Sequence, residues 1–310
     1  MPFNQAQRGD RARMLLQQLL NGIVVGGVYA LFAMGLTLVF GVNHIMNMAH
    51  GAIFMWGAFA GLFAVTVLGL PLPVAMLVGM VVGGLLSVLL DAVAFRPLRR
   101  RKAPLFSTIV AAIGADLVLL SLAQKASNTA VWRFPFDTFP VVIYKVFGLR
   151  IQLLQLVILG VTVLIVLGLL YYLYRSRFGL HIRTVAFSEN TARLLGINPA
   201  LINFQVFFIS GALAGIAGVL IGLVFNSVHF MMGEPLLLRA FVVIILGGLG
   251  SIGGALVAGL IIGIVQTLSV AYISPGVAEA IVFSLLFLVL IFRPTGLFGK
   301  TSSDLRVARR

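Results

Sequence analysis

The chain has 310 residues, of which 61% are hydrophobic and only 10% are charged, and it contains no cysteine. Soluble domains are nearer half apolar and a quarter charged, so this composition excludes a water-soluble fold and indicates an integral membrane protein. The formal net charge of +14 does not indicate a nucleic-acid partner, because the basic residues cluster at the ends of apolar runs. The lack of cysteine excludes disulfides and cysteine-based metal sites.

Apolar runs of about 20 residues, each long enough to cross a bilayer, follow one another along the chain. They predict an all-α, polytopic bundle of about eight spans, because lipid forces the backbone to satisfy its own hydrogen bonds. The predicted spans are 15–40, 51–70, 72–94, 105–124, 151–174, 201–225, 237–268 and 277–292. The sequence thus predicts one transmembrane domain, 15–299, between a tail of 1–14 and a basic tail of 300–310.

Lys and Arg predict which segments face the cytoplasm. The loops at about 95–104 and 175–200 and the 300–310 tail are basic and are predicted to be cytoplasmic, whereas the mixed-sign connection 125–150 is predicted to face outward. The arginines within 1–14 predict a cytoplasmic N-terminal tail as well.

These orientations conflict with the number of spans. Three predicted spans separate loop 175–200 from the C-terminal tail, and three separate the N-terminal tail from loop 95–104. An odd number of spans cannot join two segments on the same side. We therefore expect a broken or re-entrant helix in each half, around 43–51 and 247–254, as in transporters built from two repeats.

Glycines recur four positions apart on several predicted spans, a spacing that lets membrane helices approach closely. The pairs are Gly22/Gly26, Gly57/Gly61, Gly79/Gly83, Gly211/Gly215, Gly218/Gly222 and Gly259/Gly263. They predict a tightly packed bundle.

Two segments resemble nucleotide-binding motifs. GLGSIG (248–253) matches the dinucleotide fingerprint, but its flanks have membrane length and no acidic residue follows about 20 positions later. PTGLFGKT (294–301) has Pro294 where a phosphate-binding loop needs glycine. Neither is predicted to bind a nucleotide, so any ATP must be hydrolysed by another chain.

Polar residues inside the spans require an explanation, because they are costly in lipid. Asp116 is either a packed, paired or protonated carboxyl or a group that lines the permeation path. The polar residues of NHIMNMAHG (43–51) either satisfy the backbone of a broken helix or line a water-filled cavity, and their spacing does not suit a metal. The candidates for the path or the broken helices are Asn47, His50, Asp116, Gly248, Gly250 and Ser251.

Other charged residues are predicted to lie at the membrane interface. Asp91, one turn from Arg96 at a cytoplasmic helix end, should form a local ion pair or snorkel, and Glu234 and Arg239 should anchor the start of a span.

The loop 175–203 is long and predicted to be partly helical. Ser188 can cap a short helix whose first turn contains Glu189, Gly196 can end it and Pro199 can open the next span. Such a helix is either a plain basic interfacial helix or a docking site for a partner. The docking candidates are Arg183, Glu189, Arg193, Gly196, Asn198 and Pro199.

Several motifs in order resemble the ABC-transporter permeases for branched-chain amino acids, specifically the shorter LivH-type subunit. They are NMAHGAIFMWGAF (47–59), FRPLR (95–99), ARLLGIN (192–198), MGEPLLLRAF (232–241), LGGLGSIGGALVAG (246–259) and FRPTGLFG (292–299). FRPTGLFG resembles the family's C-terminal signature, which makes the phosphate-loop match accidental.

The resemblance implies a multi-pass subunit of an ABC importer in the bacterial inner membrane, with no cofactor and no enzyme activity of its own. A second homologous permease subunit would complete the pathway, two cytoplasmic ATPase subunits would dock on loops such as 183–199, and a periplasmic binding protein would deliver leucine, isoleucine or valine.

Three positions depart from the family pattern: Ala52 stands where an acidic residue is common, Asp116 where a small or polar residue is usual, and Arg239 where lysine is frequent. These departures leave the substrate open, since relatives of the family carry urea and short amides. A self-sufficient channel or secondary transporter is the second reading. An intramembrane enzyme using His50 or Asp116 is disfavoured, because no paired nucleophile or metal set accompanies them.

Overall fold

The computed structural model describes residues 3–135, 137–146 and 149–299, without the side chains of 3–12 and 146. The described chain is helical apart from short connections and one antiparallel hairpin. The helices are α1 (Phe3–Asn43), α2 (His50–Thr66), α3 (Leu72–Leu90), α4 (Arg96–Arg100), α5 (Leu105–Ser127), α6 (Leu153–Arg175), α7 (Arg177–Phe187), α8 (Glu189–Leu194), α9 (Pro199–Phe225), α10 (Gly233–Gly247), α11 (Ile252–Tyr272) and α12 (Pro275–Phe292), and the hairpin strands are β1 (Ile143–Val146) and β2 (Leu149–Gln152).

Seven helices of the described chain are long and apolar enough to cross a membrane. They are α1, α3 with its continuation into α4, α5, α6, α9, α11 and α12. The apolar helices α2 and α10 have 17 and 15 residues, so each rises only about 22–26 Å, less than the roughly 30 Å of a hydrocarbon core. The protein is therefore a multi-pass helical bundle with two short helices.

The bundle contains two units of inverted topology. In the first unit α1, α2, α3 and α5 follow one another, and in the second α9, α10, α11 and α12 do. The first helix of each unit packs most extensively on the third helix of the other, α1 on α11 and α9 on α3. Both first helices end at a residue with left-handed backbone, His44 (φ 53°) and Asn226 (φ 44°). The short helix of each unit, α2 or α10, begins six or seven residues later.

The two ends of the bundle can be told apart by contacts along the chain. At one end, Gln17, near the start of the membrane-spanning part of α1 (Arg13–Asn43), bonds the backbone of Arg150. Its side chain donates to the carbonyl at 3.0 Å and accepts from the N–H at 2.9 Å. Val228, just after α9, pairs with Trp132 at this same end. The α4–α5 connection, α7 and α8 lie at the other end. The start of α1 and loop 95–104 therefore lie at opposite ends of the bundle.

This arrangement resolves the conflict between charge and span number differently in the two halves. The predicted span 237–268 is in fact two helices, α10 and α11, so four helices separate loop 175–200 from the end of α12. In the first half three helices separate the N-terminus from loop 95–104. The predictions that 1–14 is cytoplasmic and that 125–150 faces outward cannot both hold.

Breaks occur where the sequence predicted them, at 44–49 and at 248–251, but they are not equivalent positions of the repeat. The segment that corresponds to 44–49 is 226–232, before α10, and the sequence analysis did not mark it. The turn at 248–251 corresponds to 67–71, which joins α2 to α3. The predicted correspondence of the two breaks is therefore wrong.

Glycine contacts confirm the predicted close packing. A Cβ on Gly215 would collide with the carbonyl of Gly79, and one on Gly211 with the carbonyl of Gly83, at the α9–α3 contact. A Cβ on Gly263 would likewise collide with the backbone of Gly26, at the α11–α1 contact. The two main helix pairs thus approach backbone to backbone at equivalent places in the repeat.

The topology predicts from which side of the membrane a cysteine placed at either end of the bundle can be labelled. Because the chain has no cysteine, single substitutions can be read with a membrane-impermeant maleimide. We expect Met14→Cys, whose side chain is 63% exposed, to be labelled from the same side as Val141→Cys and from the opposite side to Leu194→Cys. Labelling in right-side-out and inverted vesicles measures this. Labelling of Met14→Cys and Leu194→Cys from the same side would contradict the fold.

Candidate functional site

The N-termini of the two short helices meet inside the bundle. A Cβ on Gly51, in the first turn of α2, would lie 2.9 Å from the carbonyl oxygen of Gly233, and a Cβ on Gly233 would collide with the carbonyl of Gly51. Phe32, which touches His50 at the start of α2, lies 11 residues before the end of α1, about 16 Å from that end of the helix. The two helices therefore start near half depth, where their first N–H groups have no helical acceptor.

The candidates Asn47 and His50 lie together at this break and are fully buried. His50 Nε2 is 3.2 Å from the carbonyl oxygen of Phe32, and the two rings lie 4.6 Å apart. Among the described residues, His50 Nδ1 and both polar atoms of the Asn47 side chain have no hydrogen-bond partner. His50 thus bonds a carbonyl inside α1, and unpaired polar atoms lie at the break.

Asp116 reaches the same region from α5. It lines a small pocket with Gly51 and Ala52 of α2 and with Gly233 and Glu234 of α10. Asp116 is half-buried and Glu234 is exposed. The pocket therefore joins two carboxylates to the starts of both short helices, and the sequence analysis had not linked Glu234 to Asp116.

Arg239 has a different position from the predicted one. It lies in the middle of α10, its side chain only 20% exposed, and its guanidinium contacts Glu279 of α12 at 2.8 Å and the hydroxyl of Tyr29 of α1 at 3.2 Å. The prediction that Arg239 anchors a span at the membrane interface is wrong, because α10 begins at Gly233, four residues earlier than the apolar run suggested. The ion pair instead joins three helices inside the bundle.

Gly248, Gly250 and Ser251 are separate from this group. They form the turn between α10 and α11, where Gly248 (φ 99°) and Gly250 (φ 82°) have left-handed backbone and Ser251 Oγ accepts a hydrogen bond from Gly254 N at 3.1 Å. The fingerprint GLGSIG is thus a helix–turn–helix without the strand that a dinucleotide site needs. At this turn the chain is not helical between the end of α10 and the start of α11.

The segment that resembles a phosphate-binding loop closes the end of α10. Leu297 N donates to the carbonyl of Leu246 at 2.8 Å, and Phe298 N donates to that of Gly247 at 3.1 Å. These bonds satisfy the last carbonyls of α10, which lack helical donors. Lys300 and Thr301 lie outside the described residues.

The loop at 175–200 forms two short helices. Ser188 Oγ caps α8 by accepting from Thr191 N at 3.2 Å, as predicted. Glu189 and Arg193 form an exposed ion pair of 2.9 Å. Gly196 has φ +76° and ends the helix. The predicted caps and boundaries of this loop are confirmed.

Asn198 and Pro199 begin the next span, α9, as predicted. The Asn198 side chain accepts from Ala200 N at 3.0 Å, and Pro199 occupies the first turn. Arg183 lies on α7, with its guanidinium 5.9 Å from the ring centroid of Tyr174.

A cavity of about 880 Å³ separates α8 and the start of α9 from the end of α3 and α4. Five of the six docking candidates line it, namely Glu189, Arg193, Gly196, Asn198 and Pro199. Arg183 does not. On its other wall Asp91 pairs with Arg99 at 2.7 Å, so Asp91 forms the expected local ion pair, with Arg99 as its partner and not Arg96.

In the described residues, no group of three or more His, Asp or Glu side chains could hold a metal ion.

Comparisons with known proteins agree with this architecture. The family described as "Branched-chain amino acid transport system / permease component" matches residues 18–291. The chain belongs to this family. The high-affinity branched-chain amino acid transport system permease protein BraD of Pseudomonas aeruginosa is 35% identical, over 92% of this chain and 96% of BraD. The LivH permease protein of Escherichia coli K12 is 34% identical, with the same coverage.

A solved chain of PsaBC from Streptococcus pneumoniae in complex with Fab is more distant, with 14% identity and a TM-score of 0.48 over 93% of this chain and 94% of that chain. The family match and the seven membrane-length helices of the described chain make the protein a multi-pass membrane permease component, as the sequence resemblance indicated.

The Arg239–Glu279 pair provides a test of packing inside the bundle. Glu279→Gln leaves the Arg239 charge without its carboxylate, so we expect the free energy of unfolding to fall by about 1–3 kcal/mol. This is below the 3–5 kcal/mol of a fully buried pair, because Glu279 is 57% exposed. Thermal unfolding of the purified protein in detergent measures the loss.

The matched control is Glu189→Gln, which removes an exposed pair worth about 0.2–1 kcal/mol. Equal melting temperatures for the two variants would show that the pair inside the bundle contributes no more than a surface pair.

Proposed function

We propose that the protein is the permease subunit of an ATP-binding-cassette importer that moves branched-chain amino acids across the bacterial inner membrane. The observation that carries this proposal is the family match over 18–291, together with relatives at 34–35% identity along 92% of the chain. Both relatives are named as high-affinity branched-chain amino acid permeases. The inverted repeat supports a transport role, since many transporters are built from such repeats around a central site.

We propose that the place where the N-termini of α2 and α10 meet forms part of the translocation pathway. Helix N-termini favour anionic groups, and the carboxylates of Asp116 and Glu234 in the same pocket favour cationic ones. A zwitterionic amino acid carries both charges. Met55, Leu120 and Phe230 also line the pocket, so an aliphatic side chain would meet apolar surface once the pocket, about 10 Å³ in this structure, widens to admit it.

We further propose that the cavity between α4 and α8 receives an ATPase subunit. Beside it, α8 presents Leu194, 88% exposed, and Leu195, 67% exposed, and exposed apolar side chains next to charged ones are typical of protein interfaces. The proposed assembly contains a second homologous permease, two ATPase subunits and a periplasmic binding protein.

We propose that the end of the bundle with the basic loops 95–104 and 175–200 faces the cytoplasm, because Lys and Arg are concentrated there. The N-terminal end of α1 is then periplasmic, together with the β1–β2 hairpin. This replaces the prediction of a cytoplasmic 1–14 tail and keeps the prediction that 125–150 faces outward.

Transport by the reconstituted complex tests the function. The tagged chain is purified gently from its native membrane with its companions and reconstituted in liposomes with the binding protein encoded beside it. We expect ATP-dependent accumulation of labelled leucine, and not of labelled urea or acetamide. Accumulation of urea or acetamide instead would favour the related amide permeases. Transport by this chain alone, without ATP, would favour a channel or secondary transporter.

Substitution of Leu194 tests the docking surface. We expect Leu194→Glu to lower ATP-dependent uptake at least about tenfold, equivalent to about 1.4 kcal/mol of lost docking free energy, because a charge would replace an apolar contact. Leu194 is exposed, so the amount of folded protein should not change. Uptake and co-purified ATPase are measured together.

The matched control is Leu180→Glu, which changes an exposed leucine of α7 (55% exposed) outside the cavity. Normal uptake in the Leu194 variant, or equal losses in both, would contradict docking at α8.

A further inference from the structure

A basic groove lies at the end of α3, where the chain continues into α4. Ala92, Arg96, Pro97, Arg100 and Arg101 line it, and its volume is about 350 Å³. Every lining residue comes from this single stretch of chain, and three of them, Ala92, Arg96 and Arg100, also line the cavity between α4 and α8.

The groove's arginines differ from their neighbour Arg99. Arg99 turns inward, bonds Asp91 at 2.7 Å and lies 5.7 Å from the ring centroid of Phe207. Within the described part of the chain, Arg96, Arg100 and Arg101 form no ion pair, and all three are exposed. Three guanidinium groups are therefore available to an anion from outside the chain.

The helix geometry sets two of these arginines side by side. A π-helical turn covers Asp91–Phe95, in which Arg96 N donates to the carbonyl of Asp91. In a regular α-helix the ring of Pro97 would clash with the carbonyl of residue 93, and the wider turn lets the helix continue past it. Arg96 and Arg100, four residues apart, then share one helix face.

An exposed apolar stripe leads along α3 to the groove. Its members lie four residues apart and are 47–58% exposed: Leu77, Val81, Leu85 and Leu89. Ala92, three residues after Leu89, continues the stripe into the groove lining. From Leu77 to Leu89 the stripe spans about 18 Å of helix, which is comparable to a lipid acyl chain.

We infer that this groove binds an anionic phospholipid, with the phosphate held by Arg96, Arg100 and Arg101 and an acyl chain along the stripe that ends at Leu89. Guanidinium groups pair well with phosphate, and basic pockets at the cytoplasmic side of membrane helices bind anionic headgroups. The inference rests on the cytoplasmic orientation that accompanies the proposed function.

The combination of groove and stripe favours lipid over the other occupants. An acidic segment of an ATPase subunit would use the arginines and leave the stripe uncovered. A second permease subunit would cover the stripe without requiring three unpaired cations at its end. A phospholipid uses both.

Native mass spectrometry of the purified complex tests the inference. Delipidated complex is mixed with dioleoyl phosphatidylglycerol or dioleoyl phosphatidylcholine at equal concentration, and bound lipids are counted. We expect the unmodified complex to retain at least one more phosphatidylglycerol than phosphatidylcholine per copy of this chain. Arg96→Gln/Arg100→Gln should lose that lipid, and Arg96→Lys/Arg100→Lys should keep most of it.

The matched control is Arg175→Gln/Arg177→Gln, which removes two exposed arginines at the same end of the bundle and should retain the lipid. Equal phosphatidylglycerol retention in the groove variant and the control would overturn the inference. Loss of the ATPase subunit from the groove variant without loss of lipid would also overturn it and assign the groove to protein docking. Lipid counting does not depend on which solute is transported. The lipid result can therefore still be interpreted if the leucine assay fails.

Discussion

The structure depends on one constraint: a backbone N–H or C=O inside a membrane must find a partner within the protein. Helices that cross the bilayer meet this requirement by themselves, but the two short helices cannot, because they begin near half depth. Their first turns are protected by the rest of the bundle and by each other, at the contact of Gly51 with Gly233. Only glycine allows two helix starts to come so close, and this contact holds the centre of the inverted repeat.

The same requirement explains the position of the C-terminal segment. At the opposite end of α10, Leu297 and Phe298 supply the N–H groups that the last carbonyls need. A charged group within the bundle also needs partners. The guanidinium of Arg239 has an ion pair with Glu279 and a hydrogen bond with the hydroxyl of Tyr29. Each of these residues stabilises a place where the regular helix ends or a charge enters the membrane.

Much of the proposed site could be read from the sequence, and the reasons for the failures are specific. Cap chemistry is local, so Ser188 and Pro199 identified the helix boundaries in the 175–200 loop correctly. The break before α10 escaped notice because 226–232 fell between the predicted spans 201–225 and 237–268 and was taken as an ordinary connection, although Asn226 followed by Gly233 was an available signal. The shared pocket of Asp116 and Glu234 could not be predicted, because 118 positions separate the two carboxylates and only the packing of α5 and α10 near α2 brings them together.

The sequence by itself determined that this is a helical membrane protein, which segments are helical, and the family to which it belongs. Those properties follow from composition, local capping and motif order. The tertiary structure decided the direction of each helix, the inverted relation of the two units and which breaks are equivalent. A one-dimensional hydrophobic pattern does not distinguish a crossing helix from a short one that begins at half depth. That distinction depends on contacts such as Gln17 with Arg150, which join parts of the chain far apart in sequence.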